Sequence, residues 1–78
     1  MSRFATYIDR DFSGADLSNQ VLGGTFSECD LSGADLSGAE LSGDFTSVNF
    51  DGANLSGAIL SGNFTDIQWG NETLDPQK

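Results

Sequence analysis

The amino-acid sequence predicts an all-β fold: a solenoid of short parallel strands wound in coils of nineteen residues. Three observations predict it. Large apolar residues recur every five positions, as at Leu31, Leu36 and Leu41. At regular intervals the beat shortens to four, from Leu22 to Phe26, from Leu41 to Phe45 and from Leu60 to Phe64. Gly and Ser fill fixed offsets between the large residues, which suits a tight turn and weakens a helix. A helix would space its apolar residues at three and four. Four short steps bring the chain back over itself, so that neighbouring coils bury each other's cores.

The elements follow in order from this 5+5+5+4 period. Residues 10–28, 29–47 and 48–66 are three copies, and Tyr7 and Leu74 fall nineteen residues outside Phe26 and Leu55 in partial copies. The first side of each coil centres on Phe12, Leu31, Phe50 and Trp69, with Cys29, Val48 and Ile67 as smaller inward residues. The second centres on Leu17, Leu36, Leu55 and Leu74, with Ala15, Ala34 and Ala53. The third centres on Leu22, Leu41 and Leu60, with Ala39 and Ala58. The fourth, short by one residue, carries Phe26, Phe45 and Phe64, and its small inward position is Gly24, Gly43 and Gly62. A phenylalanine column is expected to fill that side while glycine lets the backbone cut the corner. Residues 1–9 are expected to form an N-terminal cap in which Phe4, Tyr7 and Ile8 close the coil. Residues 10–70 form the solenoid. Residues 71–78 are expected to cap the other end, with Leu74 as the last inward contact, Pro76 ending strand pairing and Trp69 as a terminal plug.

Ala15-Asp16-Leu17-Ser18, Ala34-Asp35-Leu36-Ser37-Gly38 and Ala53-Asn54-Leu55-Ser56-Gly57 resemble the motif of the pentapeptide-repeat proteins, A-(D/N)-L-x-x. The resemblance covers residues 10–70 in a dozen consecutive steps. It implies a right-handed quadrilateral parallel β-helix in which the centre residue, and the residue two before it, point inward. The departure from the family is the nineteen-residue coil, which replaces one of twenty.

Charge bounds the function. Twelve acids face three bases, a net of −9, and no positive side chain lies between Arg10 and Lys78. Such a surface repels nucleic acid and anionic membranes and attracts a basic protein. Asp11 and Asp30 on one side, and Asp16 and Asp35 on the next, are expected to stack as acidic ladders at about 4.8 Å, one strand spacing. Like charges so placed repel, so added salt and mild acidification are both expected to stabilise the fold. The third and fourth sides are nearly neutral. There Val21 and Ile59 stand where a polar residue is expected, with Glu40 between them in the same column. They form a candidate protein-docking stripe.

The chemistry of catalysis is scarce. There is no histidine, and Cys29, the sole cysteine, is expected in the core. No catalytic residue, metal ligand set or cofactor site emerges. Stacked carboxylates on a convex face give no cleft and no cage of six to eight oxygens. Gly23-Gly24 reads as a corner and not as a phosphate loop. Asn54-Leu55-Ser56, Asn63-Phe64-Thr65 and Asn71-Glu72-Thr73 match the glycosylation pattern as a by-product of the repeat. One cysteine and a mixed, polar N-terminus predict the cytoplasm, or a virion if a phage encodes the chain.

The expected role is a non-enzymatic interaction module, a stiff prism that docks on a protein partner. It would be a subunit of a virion or scaffold, or assemble with itself. The alternative is an acidic DNA mimic, since some pentapeptide-repeat proteins resemble DNA closely enough to inhibit DNA gyrase. One charge per roughly 1.5 Å of rod approaches the ~1.7 Å of duplex DNA. The short rod and the lack of loop insertions argue for the module.

Overall fold

The computed structural model describes residues 5–70. Six strands form, each two or three residues long: β1 (Thr6–Ile8), β2 (Thr25–Ser27), β3 (Glu40–Leu41), β4 (Asp44–Thr46), β5 (Ile59–Leu60) and β6 (Asn63–Thr65). All pairings are parallel. β1, β2, β4 and β6 lie in that order in one sheet, and β3 pairs with β5 in another. Every register is offset by nineteen, as in Tyr7↔Phe26, Phe26↔Phe45 and Phe45↔Phe64. The first two sides are held by single bridges, Asp11↔Asp30↔Asn49↔Gln68 and Asp16↔Asp35↔Asn54. The predicted four-sided β-solenoid is therefore present, with the phenylalanine side as its longest sheet.

The core lies on the axis. Leu22, Phe26, Leu31, Leu36, Leu41, Phe45, Phe50 and Leu55 are sealed from solvent, and Ala34, Ala39, Ala53, Cys29 and Val48 fill the gaps between them. The Cys29 thiol faces the Tyr7 carbonyl at 3.3 Å, as a small core residue does. On the short side Tyr7, Phe26, Phe45 and Phe64 stack with ring centres 4.9, 4.8 and 5.0 Å apart. Sealing is confined to the middle coils. Tyr7, Phe12 and Leu17 at one end, and Leu60, Phe64 and Ile67 at the other, are half-buried. Trp69 lies on Phe50 at 5.2 Å and keeps 39% of its surface exposed, so it covers that end only in part.

One cap residue departs from expectation. Ile8 is 58% exposed and does not close the N-terminal end. It is the third residue of β1, and strand alternation turns it outward while Tyr7 turns in. Thr6–Ile8 also extend the main sheet. Phe4, Leu74, Asp75 and Pro76 lie outside the described residues.

The corners explain the shortened side. Two of them are closed by bonds between residues three apart, such as Ala15 N–H to the Phe12 carbonyl at 3.1 Å and Ala39 N–H to the Leu36 carbonyl at 3.0 Å. Their third residues, among them Gly14 (φ +69°) and Asn19 (φ +60°), are left-handed, as a type II turn requires. At a third corner the left-handed residues are Asp9, Glu28, Ser47 and Asp66, with φ between +53° and +55°. The fourth corner, where a residue is missing, has no left-handed residue among the described residues. Here a Cβ on Gly24, Gly43 or Gly62 would strike the carbonyl oxygen of Ala5, Gly24 or Gly43 in the coil below. Glycine is present to let coils approach.

The third corner yields a prediction. An L-residue with a side chain is strained in the left-handed region, and glycine is not. Ser47→Gly keeps the Ser47 N–H bond to the Thr65 carbonyl (2.9 Å) and removes the strain. After the greater freedom of glycine in the unfolded chain is offset, a net gain of about 0.5–1 kcal/mol is expected. Urea unfolding checks it; an unchanged or lowered midpoint contradicts the strain.

Candidate functional site

Two surfaces follow from the outward positions. On the third side Val21, Glu40 and Ile59 form one continuous ladder, bridged Val21↔Glu40 and Glu40↔Ile59. The backbone fixes it on both sides: Glu40 N–H donates to the Gln20 carbonyl at 2.9 Å, and Ile59 N–H to the Ala39 carbonyl at 2.8 Å. Ile59 is 57% exposed, while Val21 and Glu40 are half-buried. The structure thus brings together the three residues that the sequence singles out for docking. The neighbouring sheet shows Thr25, Asp44 and Asn63 in one outward column, where Asn63 Nδ2 donates to Asp44 Oδ1 at 2.7 Å. That bond ties the one acid of this face to an amide.

The acidic ladders also form, Asp11 against Asp30 and Asp16 against Asp35. Each continues as asparagine in the third coil, Asn49 and Asn54. Asp51 stands apart, in the turn before Gly52. Every ladder residue does the same local work. Its Oδ1 accepts the N–H of the residue two ahead: Ser13, Ser18, Ser32 and Ser37 for the four aspartates, Asp51 and Ser56 for the two asparagines. These are Asx turns. The motif needs an acceptor at this position, and Asn supplies one without charge. The sequence carries a signal for this that was not read, the recurrence of Asp or Asn two residues before Ser, as in Asp16-Leu17-Ser18 and Asn54-Leu55-Ser56.

The hydroxyls strengthen the turns at three of the aspartates. Ser13 Oγ donates to Asp11 Oδ1 at 2.6 Å, Ser18 Oγ to Asp16 Oδ1 at 2.7 Å and Ser37 Oγ to Asp35 Oδ1 at 2.7 Å. The serine hydroxyl first, and the serine N–H second, hold the Asp11 and Asp16 carboxyls below the usual carboxylate value of 3.8. This reverses the expectation that acid relieves the ladder at these two residues. A carboxyl whose pKa is depressed in the folded state adds stability above its unfolded pKa, and that stability is lost as pH falls through the folded pKa. The contribution of Asp11 and Asp16 is therefore intact from neutral pH down to about 4 and declines below it. In Ser13→Ala/Ser18→Ala the acid limb of the stability profile is expected to flatten. A limb that stays as steep would show that these turns do not drive it.

Among the described residues no group of three or more His, Cys, Asp or Glu is placed to hold a metal ion. The four ladder aspartates lie two to a side, and each carboxylate is engaged by its own turn.

The family model for pentapeptide repeats matches the chain in eight copies, over residues 11–43 and 25–62, more than half of its length. No curated protein matches it.

Proposed function

The chain belongs to the pentapeptide-repeat family, and on that premise we propose that it is a rigid, non-catalytic module that binds another protein within a larger assembly. Its fold is the right-handed quadrilateral β-helix of that family, here with a nineteen-residue coil. Members of the family generally act through protein contacts.

The observation that carries the docking surface is the ladder Val21, Glu40, Ile59. Apolar side chains occupy an outward column on a side that is otherwise short of charge, and the backbone beneath them is bonded into the solenoid. Such a stripe loses little conformational freedom on binding. Its partner would cover Ile59 and leave the acidic sides in solvent.

The test compares two variants by capture of the partner from a lysate of the source cells. Val21→Asp/Ile59→Asp places charge on the stripe without touching an inward residue, and loss of the partner is expected at low and high salt alike. Asp16→Asn/Asp30→Asn/Asp35→Asn keeps every Asx acceptor and removes three charges, and the partner is expected to stay bound. A mimic of DNA would give the opposite pattern. The acidic variant alone would lose its partner, binding would fall steeply with salt, and the wild type would inhibit supercoiling by gyrase. That outcome would replace the docking reading.

A further inference from the structure

The third and fourth sides end, among the described residues, at β5 and β6, with no strand beyond either.

The core is less deeply buried at this end. Leu41, Phe45 and Val48 are sealed, whereas their successors Leu60, Phe64 and Ile67 are half-buried. The indole of Trp69 lies 5.9 Å from the Phe64 ring, much as Phe50 lies 6.1 Å from Phe45. The backbone continues its pattern to the same edge. The Gly24 and Gly43 carbonyls accept the N–H groups of Asp44 and Asn63 in the following coil, each at 3.0 Å; the Gly62 carbonyl is next in that column. Glu28 and Ser47 N–H groups donate to the following coil, each at 2.9 Å; the Asp66 N–H is next in that column.

We propose that this edge receives an extended segment of a partner protein, added as the next parallel strand over β5 and β6. It would place a large apolar side chain on Phe64 and Lys or Arg at its flanks. Strand addition of this kind draws affinity from main-chain bonds and specificity from alternate side chains. The basic flanks follow from charge. Asp66 is exposed directly after β6, and no positive side chain lies between Arg10 and Lys78. A second copy of the chain is a poor occupant. Its N-terminal edge would bring Asp9 and Asp11 to this rim, and each copy carries a net charge of −9. The edge is a different surface from the outward ladder, on which the module reading rests.

Trp69 is the only tryptophan and reports on this end. The probe is a synthetic peptide with the sequence of residues 58–65, flanked at each terminus by two lysines, with a glutamate-flanked peptide as its counterpart. Titrated into the full chain, the lysine-flanked peptide is expected to shift Trp69 emission to the blue and to protect it from acrylamide. The glutamate-flanked peptide should bind at least about tenfold more weakly. Asp66→Asn should narrow that difference, and Val21→Asp, two coils below, should leave it unchanged. Equal response to the two peptides, or no response to either, overturns the proposal. So does a blue shift on concentrating the protein alone, which makes a second copy the occupant. A red shift on deleting residues 71–78 overturns it too, because the chain's own tail would then cover the edge.

Discussion

Gly43→Ala is expected to unfold the protein at room temperature. The new Cβ would strike the Gly24 carbonyl oxygen and would lie 2.7 Å from the Gly23 carbonyl carbon and 2.9 Å from its oxygen. All of these are backbone atoms, so no side chain can swing aside. The coil cannot retreat either. Gly43 N–H is bonded to the Leu22 carbonyl, and Asp44 N–H to the Gly24 carbonyl, both at 3.0 Å, while the Gly43 carbonyl accepts Asn63 N–H from above. Overpacking of an ordinary core costs roughly 1–3 kcal/mol and occasionally more. Against immovable backbone a loss of at least about 4 kcal/mol is expected, comparable to the whole stability of a chain of this size. Gly14→Ala is the contrast. Nothing lies within 4 Å of its added Cβ, so only the left-handed φ is strained, at roughly 1–2 kcal/mol. Circular dichroism with urea titration separates the two. If Gly43→Ala loses less than Gly14→Ala, close approach is not what the short side requires.

Phe45→Ala is expected to cost about 3–5 kcal/mol. The ring is 1% exposed and stacks between Phe26 at 4.8 Å and Phe64 at 5.0 Å, with Phe50 at 6.1 Å. The cavity left behind cannot collapse, because hydrogen bonds on both sides fix the spacing of the coils. Phe64→Ala should cost less, since that ring is half-buried and already lacks a neighbour above among the described residues. Calorimetry of both variants checks the order. Equal losses, or a loss below about 1 kcal/mol for Phe45→Ala, would mean that the aromatic column is not a continuous core.

Much of this fold is legible because its repeat is short and its periodicity is strict. Leu31, Leu36 and Leu41 announce the sides, and Phe45 marks the shortened one. Gly24, Gly43 and Gly62 were readable as a corner, though the carbonyl oxygen that excludes a side chain there was not. Sequence spacing names the residue and not the atom across from it. Asp9, Glu28 and Asp66 are legible as an acidic corner column, but the left-handed backbone they share with Ser47 is not, because that conformation is usually sought at glycine and none of them is one. Ile8 was misplaced for a different reason. An apolar residue near the start of a solenoid suggests a cap, but alternation along β1 decides the face, and Tyr7 already held the inward place. The outward ladder Val21, Glu40, Ile59 was legible as a column from its period alone. The Asp44–Asn63 bond beside it was not, since a bond between side chains nineteen apart depends on rotamers as well as register.

The glycine column acts on heredity as well as on packing. Each of Gly24, Gly43 and Gly62 lies beneath or above another coil's carbonyl only because the count between them never varies. An insertion or deletion of one residue would move a side chain into that gap and break the nineteen-residue register between neighbouring coils. A gain or loss of nineteen would leave each contact in place. The fold thus imposes a reading frame of its own on the gene, one in which whole coils are the tolerated unit of change and the length of the rod alters in discrete steps.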